Sequence, residues 1–235
     1  MKAANLIEKY EEIICDINID GLPIFISSNA QLWPVLIKVI NIKNIKVFAA
    51  GVYCGKPKPY DVNEFLEKFV EEVSDLQQNP LEIGIKKIIF KIRAVICDAP
   101  AKSLVCGIAH HSSTNGCSKC TQVAKKISNV LSYSTESSVV INDENFSKRK
   151  YKNHHQLKFM NTKTPLEKIN LNMISQVPLD PMHVIDLGVT RKMLKKLMQN
   201  KVSERSSSLE KLNISKLLVS LKKSITNDLQ DCLGV

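Results

Sequence analysis

Residues Ile88–Ser103, IIFKIRAVICDAPAKS, place one carboxylate at the end of an apolar run that is rich in β-branched side chains. The run predicts a buried strand over Lys86–Cys97, and Pro100 suits the first turn of a helix that follows directly. Asp98 therefore stands where a strand ends and a helix begins. Loop side chains at such strand ends are held by a rigid sheet and can be aimed at a substrate.

A second carboxylate ends an earlier run of the same kind. Residues 17–23 are INIDGLP, and apolar and polar side chains alternate up to Asp20, as in a half-buried strand. Two Asp on neighbouring strands can hold divalent cations, which prefer carboxylate oxygens and activate water. The structural alternative is that Asp20 and Gly21 form a turn and that Asp98 caps a helix. Asp16 is a rival to Asp20, but it lies deeper in the strand.

The order of the elements predicts the fold class. We predict two strands with a tight turn over 11–26, a third strand over Lys46–Tyr53, and an amphipathic helix over Val62–Gln77. Asp61 is predicted to cap this helix in a capping box with Glu64. With the strand and helix described above, the order becomes β-β-β-α-β-α. This is an α/β fold with a mixed sheet in the order of an RNase H-like core, where the first and fourth strands are neighbours.

Composition indicates a globular chain. Of its 235 residues 44% are hydrophobic, mean hydropathy is −0.08, and the apolar runs are too short or too interrupted to span a bilayer. The N-terminus lacks the apolar segment of a signal peptide. Seven cysteines without the spacing of a disulfide framework favour a reducing compartment, with some thiols bound to metal.

The net charge of +10 favours a polyanionic partner. Residues 146–170 hold seven Lys or Arg against one Glu, and residues 191–223 hold ten against two. The alternative is that these lysines only solvate helix faces. The two stretches together favour nucleic acid.

Cys117 and Cys120 form a CxxC pair in a polar stretch, 110–164, that we interpret as an insertion. A CxxC suits tetrahedral Zn²⁺ whose other ligands come from elsewhere; the alternative is a pair of free thiols. A deaminase centre is not expected, because no His-x-Glu is present, and no strand leads into the pair as in thioredoxins. The candidates for the other ligands are Cys106, His110, His111, His154, His155, Asp180 and His183.

Asp180 and His183 occur in the tetrapeptide DPMH, directly before a predicted helix over Val184–Met198. The two side chains are close enough in sequence to bind one ion. The alternative is that Asp180 caps the helix and Pro181 occupies its first turn. A final Lys-rich helix is predicted beyond it, over 209–229.

Several blocks of the chain, in the same order, resemble the catalytic region of CACTA-type (En/Spm-related) DNA transposases. They are most similar to the animal and insect transposase-domain proteins of that group, and the similarity runs with gaps from about residue 12 to residue 200. The blocks are Asp20–Phe25, Ser27–Asn29, Gln31–Pro34, Val52–Gly55, Lys58–Pro59, Cys97–Ala101, Gly116–Thr121, Pro178–His183 and Leu187–Val189.

The resemblance implies an RNase H-like fold with a DDE/D triad that cuts DNA and joins it to a target in the nucleus. Asp20 and Asp98 fall on the first two acidic positions and would hold Mg²⁺ or Mn²⁺. The resemblance further implies that Zn²⁺ is bound by Cys117 and Cys120 together with the Asp180/His183 pair. His110 remains a competitor for the fourth zinc position. DNA is the implied partner, no membrane is, and a homo-oligomer is compatible with this assignment.

The chain departs from that family at the third acid. This acid should lie well downstream, in a helix beside the two Asp, whereas Glu204 and Glu210 lie in Ser- and Lys-rich sequence. We therefore expect an incomplete catalytic core; the alternative is a non-catalytic module that binds DNA or protein. The expected divisions are 11–108 for the first part of the core, 109–178 for a zinc-bearing insertion, and 179–235 for a C-terminal helical segment.

Overall fold

A computed structural model describes residues 9–24, 30–56, 58–199 and 207–221. The chain divides into two compact units, Met1–Asp180 and Pro181–Val235. No helix in the described part of the chain is both long and apolar enough to cross a membrane.

The first unit is built on a mixed sheet, so the α/β class is confirmed. The strands lie in the order β4-β3-β1-β6-β5, and a short β2 pairs with β3 beyond the end of β1. The central pair β1 and β6 is parallel, and every other pair is antiparallel. The strands are β1 (Glu12–Ile19), β2 (Leu22–Pro23), β3 (Gln31–Val39), β4 (Phe48–Gly55), β5 (Leu81–Ile83) and β6 (Lys86–Ile96).

The position predicted for the second strand is wrong. The chain forms only the two-residue β2 after Gly21, and the long second strand is β3, which contains Pro34. A proline in a strand removes a ladder donor, which argues against a central strand. Here Pro34 lies between the residues of β3 that pair with β1 and those that pair with β2. On the side of β3 that faces β1 and β2, the missing N–H of Pro34 therefore breaks no ladder bond.

One face of the sheet carries the core. Ile17 and Ile19 of β1 are completely buried, as is Leu66 of helix α1, Val62–Gln78, which crosses this face. Burial of such side chains contributes about 1.5–3 kcal/mol each. The helix prediction is confirmed, but Asp61 caps α1 by accepting from the Asn63 amide at 2.9 Å and not through a box with Glu64. Helix α2, Ala99–Val105, follows β6, and its residues 101–105 are all buried.

The rest of the first unit has little regular structure but a dense interior. Its elements are β7 (Lys125–Ile127), β8 (Val130–Ser132), α3 (Asp143–Ser147), α4 (Pro165–Lys168) and 3-10 turns at Lys152–His154 and Leu157–Phe159. Phe146, Phe159 and Leu166 are almost completely buried there. The stretch predicted to be an irregular insertion therefore has little regular structure, yet its buried apolar side chains join the same hydrophobic core as those of the sheet.

The second unit is helical. A π-helix over Met182–Thr190 continues into α5, Arg191–Gln199, and α6 covers Ser208–Leu221. The helix predicted over Val184–Met198 is thus present, and the predicted last helix is present up to Leu221, with its remainder outside the described residues. None of the side chains described in this unit is buried.

Candidate metal centre

The parallel pair of β1 and β6 places Asp20 and Asp98 at one edge of the sheet. The last paired residues are Asn18 and Ile96, and two further positions along each strand lead to Asp20 and Asp98. Asn18 strengthens this end of the pair, because its side-chain amide donates to the Ile96 carbonyl at 3.2 Å. Neighbouring strands lie about 5 Å apart, so the continued register leads to Asp20 and Asp98 at adjacent strand ends, and both side chains are half-buried.

Both carboxylates also have local structural roles. Asp98 caps α2, with Oδ1 accepting from the Ala101 amide at 2.7 Å. Oδ2 of Asp98 makes no hydrogen bond within the described residues, so the cap leaves one oxygen for a cation. Oδ1 of Asp20 accepts from the Gly21 amide at 2.7 Å. A Cβ at Gly21 would lie 2.6 Å from the indole of Trp33, so only glycine fits beside that ring.

Cys97 is buried just after the end of β6, directly before Asp98. Its thiol is buried, and burial raises its pKa well above the ordinary value, with further increases from Cys106, Asp98 and Asp20 and a partial offset from Lys102. Asp98 and Asp20 make the smallest contributions to this shift. The carboxylates of Asp20 and Asp98 are oxygen donors, the ligand type that a hard cation such as Mg²⁺ prefers.

Asp16, the rival for the first position, is already paired. Its carboxylate accepts from Nε of Arg93 at 2.9 Å and from the second guanidinium nitrogen of the same residue. This bidentate pair on β1 and β6 lies within the sheet and not at its edge. Asp20 is therefore the better candidate ligand.

Two lysines that sequence reasoning missed bond to the backbone of residues 174–178. Lys102 lies one turn after Asp98 in α2 and is 5% exposed; its ammonium donates to the carbonyl of Pro178. Burial lowers the pKa of Lys102, and Cys97, Cys106 and Asp180 offset this in part. Lys119 donates to the carbonyl of Val177 at 2.9 Å. The only sequence signal for the buried contact of Lys102 was a lysine among the apolar residues of the short helix α2.

The CxxC pair is closely spaced. Sγ of Cys117 and Sγ of Cys120 are 3.1 Å apart. Burial raises the pKa of Cys117. Burial also raises the pKa of Cys120, but hydrogen bonds from Ser138, Cys117 and the Gln122 amide outweigh it, so the net shift is downward. Cys120 is therefore the thiol that ionises more readily, and the thiolate is the form that binds zinc.

Of the other predicted zinc ligands, His110 and Asp180 belong to the first unit and His183 to the second. His110 lies on an exposed loop, with Nδ1 2.6 Å from the Ser112 hydroxyl. Asp180 is buried beside Lys102, and His183 is half-buried in the second unit. Within the described ranges no three His, Cys, Asp or Glu side chains are grouped closely enough to hold a metal ion. The zinc assignment stays a prediction.

His154 and His155 are buried, and three of their ring nitrogens have no hydrogen-bond partner among the described residues. Nε2 of His154 and both ring nitrogens of His155 contact no donor or acceptor in the described residues. Burial lowers the pKa of His154 to about 4. Burial, with smaller contributions from Arg149 and His154 and a partial offset from Glu167, lowers that of His155 to about 4 as well. His154 and Cys120 both line a cavity of about 360 Å³. Both histidines are therefore neutral at pH 7.

The basic stretch 146–170 is divided between core and surface. Arg149 is 9% exposed and forms an ion pair with Glu167. Lys148 pairs with Glu144 on the surface. The other five cations of the stretch are exposed lysines: Lys150, Lys152, Lys158, Lys163 and Lys168. Such a group can contact phosphates, whereas Arg149 serves the fold.

No protein-family model matches the chain, and no curated protein is significantly similar to it. The function is therefore inferred from the residues and from their placement.

Proposed function

We propose that the chain carries an RNase H-like core of a cut-and-paste DNA transposase of the CACTA type, with Asp20 and Asp98 as two acids of its metal centre. The observation that carries the proposal is the β1–β6 register, which leads both carboxylates to one sheet edge. A mixed sheet with a parallel central pair supports it, as do the sequence blocks that resemble that family.

The donor set fits the chemistry of phosphodiester cleavage. Asp20 and Asp98 would hold Mg²⁺ or Mn²⁺, which activates a water or hydroxyl and stabilises the leaving oxygen when bound. The cap on α2 fixes the orientation of Asp98, and the exposed lysines of the stretch 146–170 would contact the DNA backbone. Each role belongs to side chains of the first unit.

Nicking of supercoiled plasmid in Mg²⁺ or Mn²⁺ tests the proposal. Asp98→Asn keeps a side chain that can cap α2 but removes the carboxylate charge. Asp20→Asn removes the carboxylate charge just after β1. We expect either variant to abolish metal-dependent nicking. Asp61→Asn is the matched control, because it makes the same change at the cap of α1. Nicking that survives in Asp98→Asn would overturn the assignment.

A second candidate is a non-catalytic DNA-binding module with the same fold. It is favoured by the absence of a third carboxylate beside the Asp pair in the described part of the chain. Glu210 instead forms a capping box at α6: its Oε2 accepts from the Ser207 amide at 2.7 Å, and its own amide donates to the Ser207 hydroxyl at 3.2 Å. Salt-sensitive DNA binding without nicking, unchanged in Asp20→Asn and Asp98→Asn, would favour this candidate.

The proposal includes a structural zinc ion bound by Cys117 and Cys120, with Asp180 and His183 as the other ligands. One zinc per chain, measured by mass spectrometry of the purified protein, supports it, and Cys117→Ser should remove the metal. Separate His183→Gln and His110→Gln variants identify the fourth ligand, since only the true ligand lowers zinc affinity when it is replaced. A metal-free wild-type chain that folds fully would contradict this part of the proposal.

A further inference from the structure

Strand β4 forms an open edge of the sheet. Within the described residues it pairs only with β3, and the N–H and C=O groups on its outer side have no backbone partner there. Its register against β3 shifts around Ala50, so the regular part of the edge is Gly51–Gly55. An unpaired strand edge is a template for another strand.

A groove of about 600 Å³ runs between this strand and α1. Its walls include Val52, which is 55% exposed, Tyr53 of β4 and Phe65 of α1. The rings of Tyr53 and Phe65 meet edge to face with their centroids 6.1 Å apart. Tyr60 at the groove is 97% exposed. The open strand edge is therefore continuous with an apolar surface that can take side chains.

The rim of the groove is acidic, although the chain carries a net charge of +10. Four acidic side chains line it against one lysine, Lys68. Glu64, Glu67 and Glu72 are exposed on α1, and none forms an ion pair with a described Lys or Arg. The rim thus offers unpaired negative charge to whatever occupies the groove.

We propose that this groove binds an extended, cationic segment of a partner protein, which adds to the sheet beside β4. Its backbone would pair with Gly51–Gly55, its apolar side chains would enter the groove, and its Lys or Arg side chains would meet Glu64, Glu67 and Glu72. Main-chain pairing supplies affinity in this mode, and charge complementarity supplies selectivity and a fast association rate.

The charge of the rim argues against the other occupants. A second copy of the chain docked on β4 through a twofold axis would bring two acidic rims together, since such an interface uses the same patch twice. DNA would place its phosphates beside the same carboxylates. A cationic peptide strand satisfies the backbone edge, the apolar walls and the acidic rim together.

Peptide binding to the 235-residue chain tests the proposal. The probe is a fluorescein-labelled heptapeptide of alternating Lys and Val with blocked ends, followed by anisotropy. The first control peptide carries Glu in place of Lys, and the second is N-methylated at alternate amides, which removes hydrogen bonds along one edge without changing its charge. We expect binding of the Lys peptide to weaken as salt rises and both controls to bind at least about tenfold more weakly.

Two protein variants locate the site. Glu67→Lys reverses a charge on the rim, and Glu71→Lys makes the same change on α1 outside the groove. We expect Glu67→Lys to weaken binding several-fold and Glu71→Lys to leave it near wild type. Equal effects of the two variants, equal binding of the methylated peptide, or a dimer that forms through β4 and excludes the peptide would each overturn the proposal.

Discussion

Two regions of the first unit achieve order by different means: the sheet edge at the ends of β1 and β6, which carries Asp20 and Asp98, and the irregular half, residues 109–178. Asp20 and Asp98 are placed by regular backbone pairing, with the β1–β6 register leading to both. Residues 109–178 combine scattered backbone hydrogen bonds with side chains that bond to backbone carbonyls, above all Arg149 and Lys119, and Lys102 of α2 bonds to a carbonyl of the same stretch. Periodic backbone structure leaves a signal in sequence, whereas a buried polar contact between distant residues does not. The difference also predicts which single substitutions lower the free energy of unfolding most.

The largest expected effect on stability is at Arg149. Its guanidinium makes five hydrogen bonds, two to the Glu167 carboxylate at 2.8 and 2.7 Å and three to the carbonyls of Phe146, Phe159 and Thr162. These bonds account for all five N–H donors of an arginine. Arg149→Leu leaves Glu167 buried without its partner, so we expect a loss of about 3–5 kcal/mol in the free energy of unfolding in urea.

Lys148→Leu is the matched control for this prediction. Lys148 is the neighbouring cation and pairs with Glu144 on the surface, where an ion pair contributes about 0–1 kcal/mol. The urea midpoint of Lys148→Leu should therefore stay near that of the wild type. If Arg149→Leu were equally mild, the irregular half would not depend on polar contacts, and the comparison with the sheet edge would fail.

The second effect is an acid sensitivity confined to the irregular half. His154 and His155 are buried, and burial lowers the pKa of each to about 4, against about 6.5 in the unfolded chain. A depressed histidine pKa means that the stability is fully present above pH 6.5 and is lost as the pH falls towards 4. Between pH 7 and pH 5 we expect the unfolding free energy to fall by about 2 kcal/mol for each histidine.

Urea unfolding at the two pH values measures this loss. His154→Gln should be less sensitive to the pH change than the wild type, whatever its stability at pH 7. His111→Gln, at an exposed histidine of the same region, should keep the wild-type dependence. An unchanged pH dependence in His154→Gln would show that this side chain is solvated in solution.

Sequence patterns predicted the elements that position the Asp pair. The alternation that ends at Asp20 and the apolar run that ends at Asp98 correspond to β1 and β6, and the spacing of α1 gave its bounds to within one residue. Strand β3 was missed; it contains Pro34, which pairs with Val52 of β4 and lies between the residues that pair with β1 and those that pair with β2.

The buried polar contacts of Arg149 and Lys102 could not be predicted. Arg149 belongs to a basic run, and nothing in that run distinguishes the one cation that is buried from the six exposed lysines around it. Its partner Glu167 lies 18 residues away and is held in a capping box with Thr164. Lys102 has the same character, since its acceptors at Val177 and Pro178 are 75 and 76 residues away.

A smaller effect is expected at Gly107, where α2 gives way to the irregular half. Its φ of 62° is in the left-handed region, and a Cβ there would lie 2.3 Å from the ring of Phe159. Gly107→Ala should therefore lower the unfolding free energy by about 1–2 kcal/mol. Gly51→Ala on β4 is the control, because a Cβ at that position has no neighbour within 4 Å. Equal urea midpoints for the two variants would contradict this reasoning.

The smallest effect on stability is at Asp98, and it separates the two roles of that side chain. Asp98→Ala removes the cap on the Ala101 amide and should cost about 1 kcal/mol, whereas Asp98→Asn can still accept that hydrogen bond and should cost much less. Thermal melting of the two variants measures the difference. The proposed metal chemistry predicts another pattern, since both variants lose the carboxylate and both should lose nicking. If Asp98→Asn kept its nicking activity and only Asp98→Ala lost it, activity would follow the helix cap, and Asp98 would be a structural residue. The contrast between the ends of β1 and β6 and the irregular half would then concern folding alone.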